Sequence, residues 1–147
     1  KVETLIRIAE RHGLYYKTTG IWHKQNPMPR NMNLHFINST ETWVYLMHKK
    51  KTGIFNNDGK VIHDFIETPV TPASERKHGK HPTQKPEQLM SHFIRILTNE
   101  GDMVLDPFMG SGSTGVAAIK LGRDFTGIEL NSNYFQIAQK RIREVKV

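Results

Sequence analysis

The chain has 147 residues, a formal net charge of +7, a pI near 9.7 and 37% hydrophobic residues, enough for one globular domain with a real core. It lacks cysteine, which excludes disulfides, thiolate metal sites and a cysteine nucleophile and fits a reducing cytoplasm. Its eight histidines show no H-E-x-x-H spacing, so no metal site is expected. No apolar stretch approaches the roughly 18 residues of a membrane span and nothing resembles a signal peptide, so a soluble, cytoplasmic chain with no membrane partner is expected. The positive charge suits a polyanion, most simply nucleic acid; a basic protein without such a partner is the plain alternative.

Val2, Leu5, Ile6 and Ala9 recur at helical spacing and Gly13 follows as a stop, which predicts an opening helix. Tyr15 to Trp22 reads as a strand. Pro27 and Pro29 forbid regular structure from Lys24 to Arg30 and predict a shaped loop. Thr42 to Met47 is apolar on both faces and rich in strand formers, which predicts a strand buried in a covered sheet and ended by Lys49, Lys50 and Lys51. From Thr52 to Lys80 the pattern dissolves into polar residues, glycines and prolines, a partly mobile surface segment with one possible short strand, Val61 to Ile66. Pro86 opens a helix with Leu89, Phe93 and Leu97 on one face, closed by Gly101. Strand Met103 to Leu105, helix Ser113 to Leu121 stopped by Gly122, strand Phe125 to Ile128 and a last helix with Phe135, Ala138, Ile142 and Val145 on one side complete the chain. Strands alternating with helices imply an α/β domain with a largely parallel sheet. There is no internal repeat.

The run from Val104 to Gly115 (VLDPFMGSGSTG) is a strand breaking into a glycine-rich turn that opens a helix. Gly110 and Gly112 admit close backbone approach to a ligand, and the helix turns its N-terminal N–H groups and positive dipole end toward it. Gly110, Gly112 and Gly115 satisfy G-x-G-x-x-G, with Glu129 about where a ribose-binding acid belongs. Two cofactors fit: a nicotinamide or flavin dinucleotide, and S-adenosylmethionine. Asp106 favours the second, because a carboxylate ahead of the turn repels a pyrophosphate but suits an ammonium and a sulfonium. The tail agrees, since beyond Glu129 there is room for one helix and not for a second mononucleotide-binding half. An ordinary strand-to-helix turn without a ligand is the remaining alternative.

With these residues in hand, the chain resembles the amino-methyltransferases of DNA, in the permuted group whose catalytic motif precedes the cofactor motif. The resemblance covers nearly the whole chain. Its marks are the cofactor loop DPFMGSGST (106–114), the strand end GIELN (127–131) and, most telling, the hexapeptide HPTQKP (81–86) upstream. It implies a Rossmann-like α/β methyltransferase fold, mostly parallel with a terminal antiparallel hairpin, S-adenosylmethionine as cofactor and double-stranded DNA as partner. The cofactor residues it implies are Thr83 and Lys85 for the carboxylate, the loop residues Asp106, Pro107, Phe108, Gly110, Ser111, Gly112, Ser113 and Thr114, and Glu129 and Asn131 on the ribose side. For His81 no role beyond shaping the turn is indicated.

Trp22 to Pro29 followed by Ser39 to Thr42 resembles the family's late strand hairpin, whose loop lies against a base extruded from the duplex. That implies Trp22, Asn26 and Pro27 as the wall of the base site and Lys24 and Arg30 as phosphate contacts. Trp22 as simple core, with Lys24 and Arg30 in solvent, is the alternative. The family's Asp, Asn or Ser followed by Pro-Pro and an aromatic residue is missing, since no Pro-Pro dipeptide occurs, and Asp106-Pro107-Phe108 runs straight into the glycine turn. No catalytic residue is therefore identifiable, and the motif is expected before Lys1. Without its strands the family's sheet has a gap, so the chain is expected to assemble with a missing piece or a second copy, or to repack.

The resulting division is 1–51 late strands and target-base loop, 52–80 surface segment, and 81–147 cofactor part. The expected function is that of a site-specific, S-adenosylmethionine-dependent DNA methyltransferase, adenine N6 ahead of cytosine N4, with this part alone inactive. Restriction-linked and solitary enzymes look alike at this level. The rivals are a nicotinamide oxidoreductase and a nucleic-acid-binding fragment without catalysis.

Overall fold

The computed structural model describes residues 1–29, 34–48 and 53–145; Arg30 and the run Lys49 to Lys51 lie outside the described residues. The chain has a mixed α/β fold in two compact units, Lys1–Pro69 and Val70–Val147.

The first unit holds helix α1 (Val2–Arg11) and strands β1 (Tyr15–Lys24), β2 (Thr40–Met47) and β3 (Phe65–Thr68) in the order β2-β1-β3. β1 runs antiparallel to β2, with an irregularity between Tyr16 and Thr18, and parallel to β3 from Ile21 opposite Phe65 to Lys24 opposite Thr68. Alternation sets which face is covered. Gly20 and Trp22 on β1 and Ile66 and Thr68 on β3 are buried, and Ala9 of α1 is the helix's buried residue. β2 departs from the sequence reading. Its residues are half-buried or exposed rather than enclosed on both faces, because it is an edge of this sheet. The short strand lies at Phe65–Thr68 rather than Val61 to Ile66, and the stretch read as a surface segment supplies the buried Ile66, Thr68 and Thr71. Periodicity had too few residues there to locate them: Ile66 and Thr68 pair with β1, and Thr71 donates its hydroxyl to the Gln84 carbonyl at 2.6 Å within the second unit.

The second unit holds a 3-10 turn (Ala73–Arg76), helix α2 (Glu87–Leu97), strand β4 (Met103–Asp106), helix α3 (Ser113–Lys120), strand β5 (Asp124–Gly127) and helix α4 (Ser132–Val145). β4 and β5 pair in parallel, Met103 opposite Asp124 through Asp106 opposite Gly127. Their centre is Ile94, Ala117 and Ala118, with Met90, Val104, Leu121 and Phe125 packed against it. Small side chains on α3 bring it close to its neighbours. Pro86 caps α2 from outside rather than forming its first residue, and the buried face carries Leu89, Ile94 and Ile96, leaving Phe93 and Leu97 half-buried. Arg123, also buried, joins the ends of α2 and α3. Its Nη2 donates to the Thr98 carbonyl (2.7 Å), its Nε to Thr98 Oγ1 (3.0 Å) and its Nη1 to the Leu121 carbonyl, satisfying carbonyls that a helix end leaves open.

The β1–β2 pair generates a test. Trp43 lies opposite Gly20, and a Cβ at Gly20 would stand 2.0 Å from Trp43 Cζ2 and 2.3 Å from the Asp64 carbonyl oxygen. That carbonyl accepts the Ile21 N–H at 2.8 Å, so it cannot retreat without breaking the ladder. G20A is expected to destabilise the first unit by about 2–3 kcal/mol, within the range for overpacked sites. Urea unfolding followed by tryptophan fluorescence reads this unit directly, because both tryptophans, Trp22 and Trp43, belong to it.

Candidate functional site

β4 and β5 end side by side at Asp106 and Gly127, the carboxyl-end position at which open α/β sheets bind ligands. Two carboxylates shape the turn between them. Asp106 Oδ1 accepts the Phe108 N–H (3.0 Å) and Oδ2 the Thr114 hydroxyl (2.7 Å), closing the loop end to end. Glu129 Oε2 accepts the Gly110 N–H (2.9 Å) and Oε1 the Asn131 N–H (2.8 Å). Each Glu129 oxygen thus retains acceptor capacity for a further donor. Gly110 (φ 53°) and Gly112 (φ 78°) are left-handed, a conformation that strains any residue with a Cβ. The turn's glycines are therefore required by the backbone path as well as by any ligand.

The remaining cofactor-side residues divide in two. Pro107 and Phe108 are exposed, Phe108 at 86%. Thr83 is exposed and its N–H donates to His81 Nδ1 (3.3 Å), while Lys85 is half-buried. Ser111 and Ser113, read as ligand contacts, are buried and turned inward, both hydroxyls lying within hydrogen-bond reach of the Arg141 guanidinium. Asn131 is occupied as the cap of α4, its Oδ1 accepting the N–H groups of Asn133 (3.0 Å) and Tyr134 (3.2 Å). Thr114 spends its hydroxyl on Asp106.

In the first unit, the residues read as a base and phosphate surface are partly engaged elsewhere. Trp22 is 4% exposed and its indole N–H donates to Thr68 Oγ1 at 2.9 Å, so its ring is core rather than a stacking wall. Lys24 pairs with Glu41 at 2.9 Å and stands 5.4 Å over the Trp22 ring. Asn26 is exposed and Pro27 half-buried in the loop after β1.

The DNA methylase family model matches residues 2–140. The chain belongs to the DNA methylase family. Type II methyltransferase M2.DpnII of Streptococcus pneumoniae is 42% identical over 142 residues, covering 90% of this chain and 53% of the relative. Type II methyltransferase M2.LlaDCHI of Lactococcus lactis subsp. cremoris is 41% identical over 144 residues, covering 92% and 54%. This methylase chain thus spans about half the length of the curated relatives it matches. Among solved structures, the M1.HpyAVI–SAM complex superposes with a TM-score of 0.82 at 39% identity, over 96% of this chain and 69% of that one. The PvuII cytosine-N4-specific DNA methyltransferase gives 0.81 at 18% identity, over 99% and 60%, a likeness of fold. Family membership sets aside the oxidoreductase reading.

Three contributors to the methylase turn were not among the residues singled out for a ligand. Leu130, directly after Glu129, is 96% exposed. The His81 ring covers Gly110, where a Cβ would stand 3.1 Å from Nε2, and meets Tyr134 edge-on at 4.3 Å between centroids. Arg141, one turn from Ala138 on the buried side of α4, carries no spacing signal; an arginine amid Ala138, Ile142 and Val145 is its only mark.

Asp106 gives the second test. D106A removes both bonds that close the loop, and D106N keeps an acceptor for Phe108 while Thr114 turns its hydroxyl to accept. D106A is expected to destabilise the second unit by about 2 kcal/mol, the scale of hydrogen bonds to a charged group, and D106N by about half that. Hydrogen exchange at the amides of 108–114 reads the difference.

Proposed function

We propose that this chain is the S-adenosylmethionine-binding part of a permuted DNA amino-methyltransferase, acting on adenine N6 ahead of cytosine N4. The observation that carries the reading is Glu129: its carboxylate is fixed against the Gly110 N–H at the end of the β4–β5 pair and keeps acceptor capacity for two ribose hydroxyls. The residues fit the cofactor. Gly110 and Gly112 form a cradle without Cβ atoms, and Phe108 and Leu130, both far exposed beyond the two strand ends, offer apolar faces to an adenine ring. Asp106 sets a negative charge beside a ligand that carries ammonium and sulfonium cations. Thr83 and Lys85 would hold the carboxylate, with Lys85 entering α2 one residue after Gln84 and two before Glu87.

When bound, S-adenosylmethionine supplies a methyl group on a sulfonium, for attack by an exocyclic amino nitrogen. The chain's part is to position it. The loop after β1, with Asn26 and Pro27, would meet the extruded base, Trp22 supporting it from the core, and Arg30 would meet a phosphate of double-stranded DNA. No Pro-Pro-aromatic motif occurs in these 147 residues, so the catalytic group is assigned to polypeptide outside them. The division proposed for the whole remains late strands with the base loop, a connecting stretch, and the cofactor part from residue 81.

Calorimetric titration of the chain with S-adenosylmethionine and, alongside, NADH tests this. Binding of the first alone is expected. E129A should weaken it about 10–100-fold, the equivalent of roughly 1.5–3 kcal/mol for bonds to a charged acceptor. A folded chain that binds neither ligand, yet holds duplex DNA in a salt-dependent way, would replace this reading with that of a non-catalytic nucleic-acid-binding part.

A further inference from the structure

We infer that Arg141 is a positioning residue for the glycine turn, clamping it to the head of α2 so that the turn and the hexapeptide 81–86 form one cradle. The inference rests on the reading of that cradle as the S-adenosylmethionine site.

Arg141 is a charge in the interior, its side chain 4% exposed. Its guanidinium is divided between two tasks. Nη1 donates to the Ser111 carbonyl at 2.7 Å and lies 3.3 Å and 3.2 Å from the Ser111 and Ser113 hydroxyls. Nη2 donates to Glu87 Oε1 at 2.9 Å and stands 3.8 Å from Glu75 Oε2. The two acids are themselves anchored. Glu75 Oε2 accepts the Glu87 N–H at 3.0 Å, at the start of α2, and Glu87 Oε2 pairs with Lys120 at 2.5 Å. Glu87 follows directly on Pro86, the last residue of the hexapeptide, so the bond from its own N–H to Glu75 fixes the exit of that segment, while Lys120, half exposed, meets only the outer oxygen of the Glu87 side chain.

The consequence for the turn follows from peptide planarity. The Ser111 carbonyl is held by Arg141, and the N–H of the same peptide, from Gly112, donates to the Met109 carbonyl at 2.8 Å. One peptide plane in the middle of the turn is thus pinned at both edges, and the preceding Gly110 N–H is pinned by Glu129. Helix packing does not ask for this. A whole buried ion pair is often replaceable by apolar residues at no loss of stability, whereas removing Arg141 alone leaves the Glu87 and Glu75 carboxylates without their cation. A lysine keeps the charge but lacks the flat fork that reaches a carbonyl on one side and a carboxylate on the other.

The test compares R141K and R141M with K120Q, which breaks the outer Lys120–Glu87 pair and leaves Arg141 on the turn. S-adenosylmethionine affinity, thermal unfolding and the amide resonances of Gly110 and Gly112 are measured on the whole chain. R141K and R141M are expected to weaken binding about tenfold, equivalent to roughly 1.4 kcal/mol, and to move the Gly112 amide, while K120Q stays within about twofold. Equal losses in R141K and K120Q, in step with lost thermal stability, would reduce Arg141 to scaffold, and wild-type affinity in R141K would overturn the inference outright. If both Arg141 variants fail to fold, E87Q carries the test. It leaves Arg141 on the turn without its ionic partner, and about threefold weakening is expected, on the scale of a lost neutral hydrogen bond, against none if the clamp is idle. A wild-type chain that binds no S-adenosylmethionine overturns the cofactor reading instead; the Gly112 amide in R141K then still decides whether Arg141 sets the turn.

Discussion

Backbone amides held by side-chain carboxylates are the constraint on which the second unit depends. A turn that leaves a parallel strand and enters a helix through two left-handed glycines keeps few backbone bonds, here Gly112 N–H to the Met109 carbonyl and Met109 N–H to the Ile128 carbonyl. Asp106 and Glu129 supply the missing acceptors from the ends of adjacent strands. Because β4 and β5 are in register at Asp106 and Gly127, Asp106 stands at the strand end and Glu129 two residues past its partner, and the turn is folded around them. The proposed binding geometry and fold stability therefore share the same atoms, and Asp106 serves both.

The first unit solves a different problem. Its loop after β1 contains two prolines, so its direction is set where it leaves the strand. There Trp22 is locked by Thr68, the Gln25 N–H donates to the Thr68 carbonyl at 3.1 Å, and the Lys24 N–H donates to the Ser39 carbonyl at 2.7 Å. A buried indole at the last turn of a strand is a support for a loop. The same atoms that remove Trp22 from contact with a base give Asn26 and Pro27 a fixed point of departure.

Most of the regular elements were legible because their signals are local. The glycine stops after α1 and α3, the strand formers of β1 and the Asp106-to-Thr114 run are read from adjacent residues. What escaped was decided by partners far away in sequence. β3 is shorter than any reliable period and exists because it pairs with β1. The half-buried state of β2 reflects its place at a sheet edge, which no property of Thr42 to Met47 encodes. In the site, the glycines and both acids were visible as a pattern, but the inward turn of Ser111 and Ser113 was not, because it depends on an arginine some 30 residues on. Asn131 was visible as a polar residue after the acid and hidden as a cap.

Net charge was the least informative part of the sequence, for a physical reason. The surplus of +7 counts charges without regard to where their fields end. Lys24 is spent on Glu41, Lys77 and His78 on Glu144, Lys120 and Arg141 on Glu87, and Arg123 on helix carbonyls. Glu144 shows the effect from the other side, its hydrogen bond from Lys77 and its contact with His78 holding the carboxyl below the usual range. Pairs of this kind present little net potential beyond a Debye length of about 8–10 Å at ordinary ionic strength. A polyanion is attracted by the cations left over and by their arrangement on one face rather than by the total.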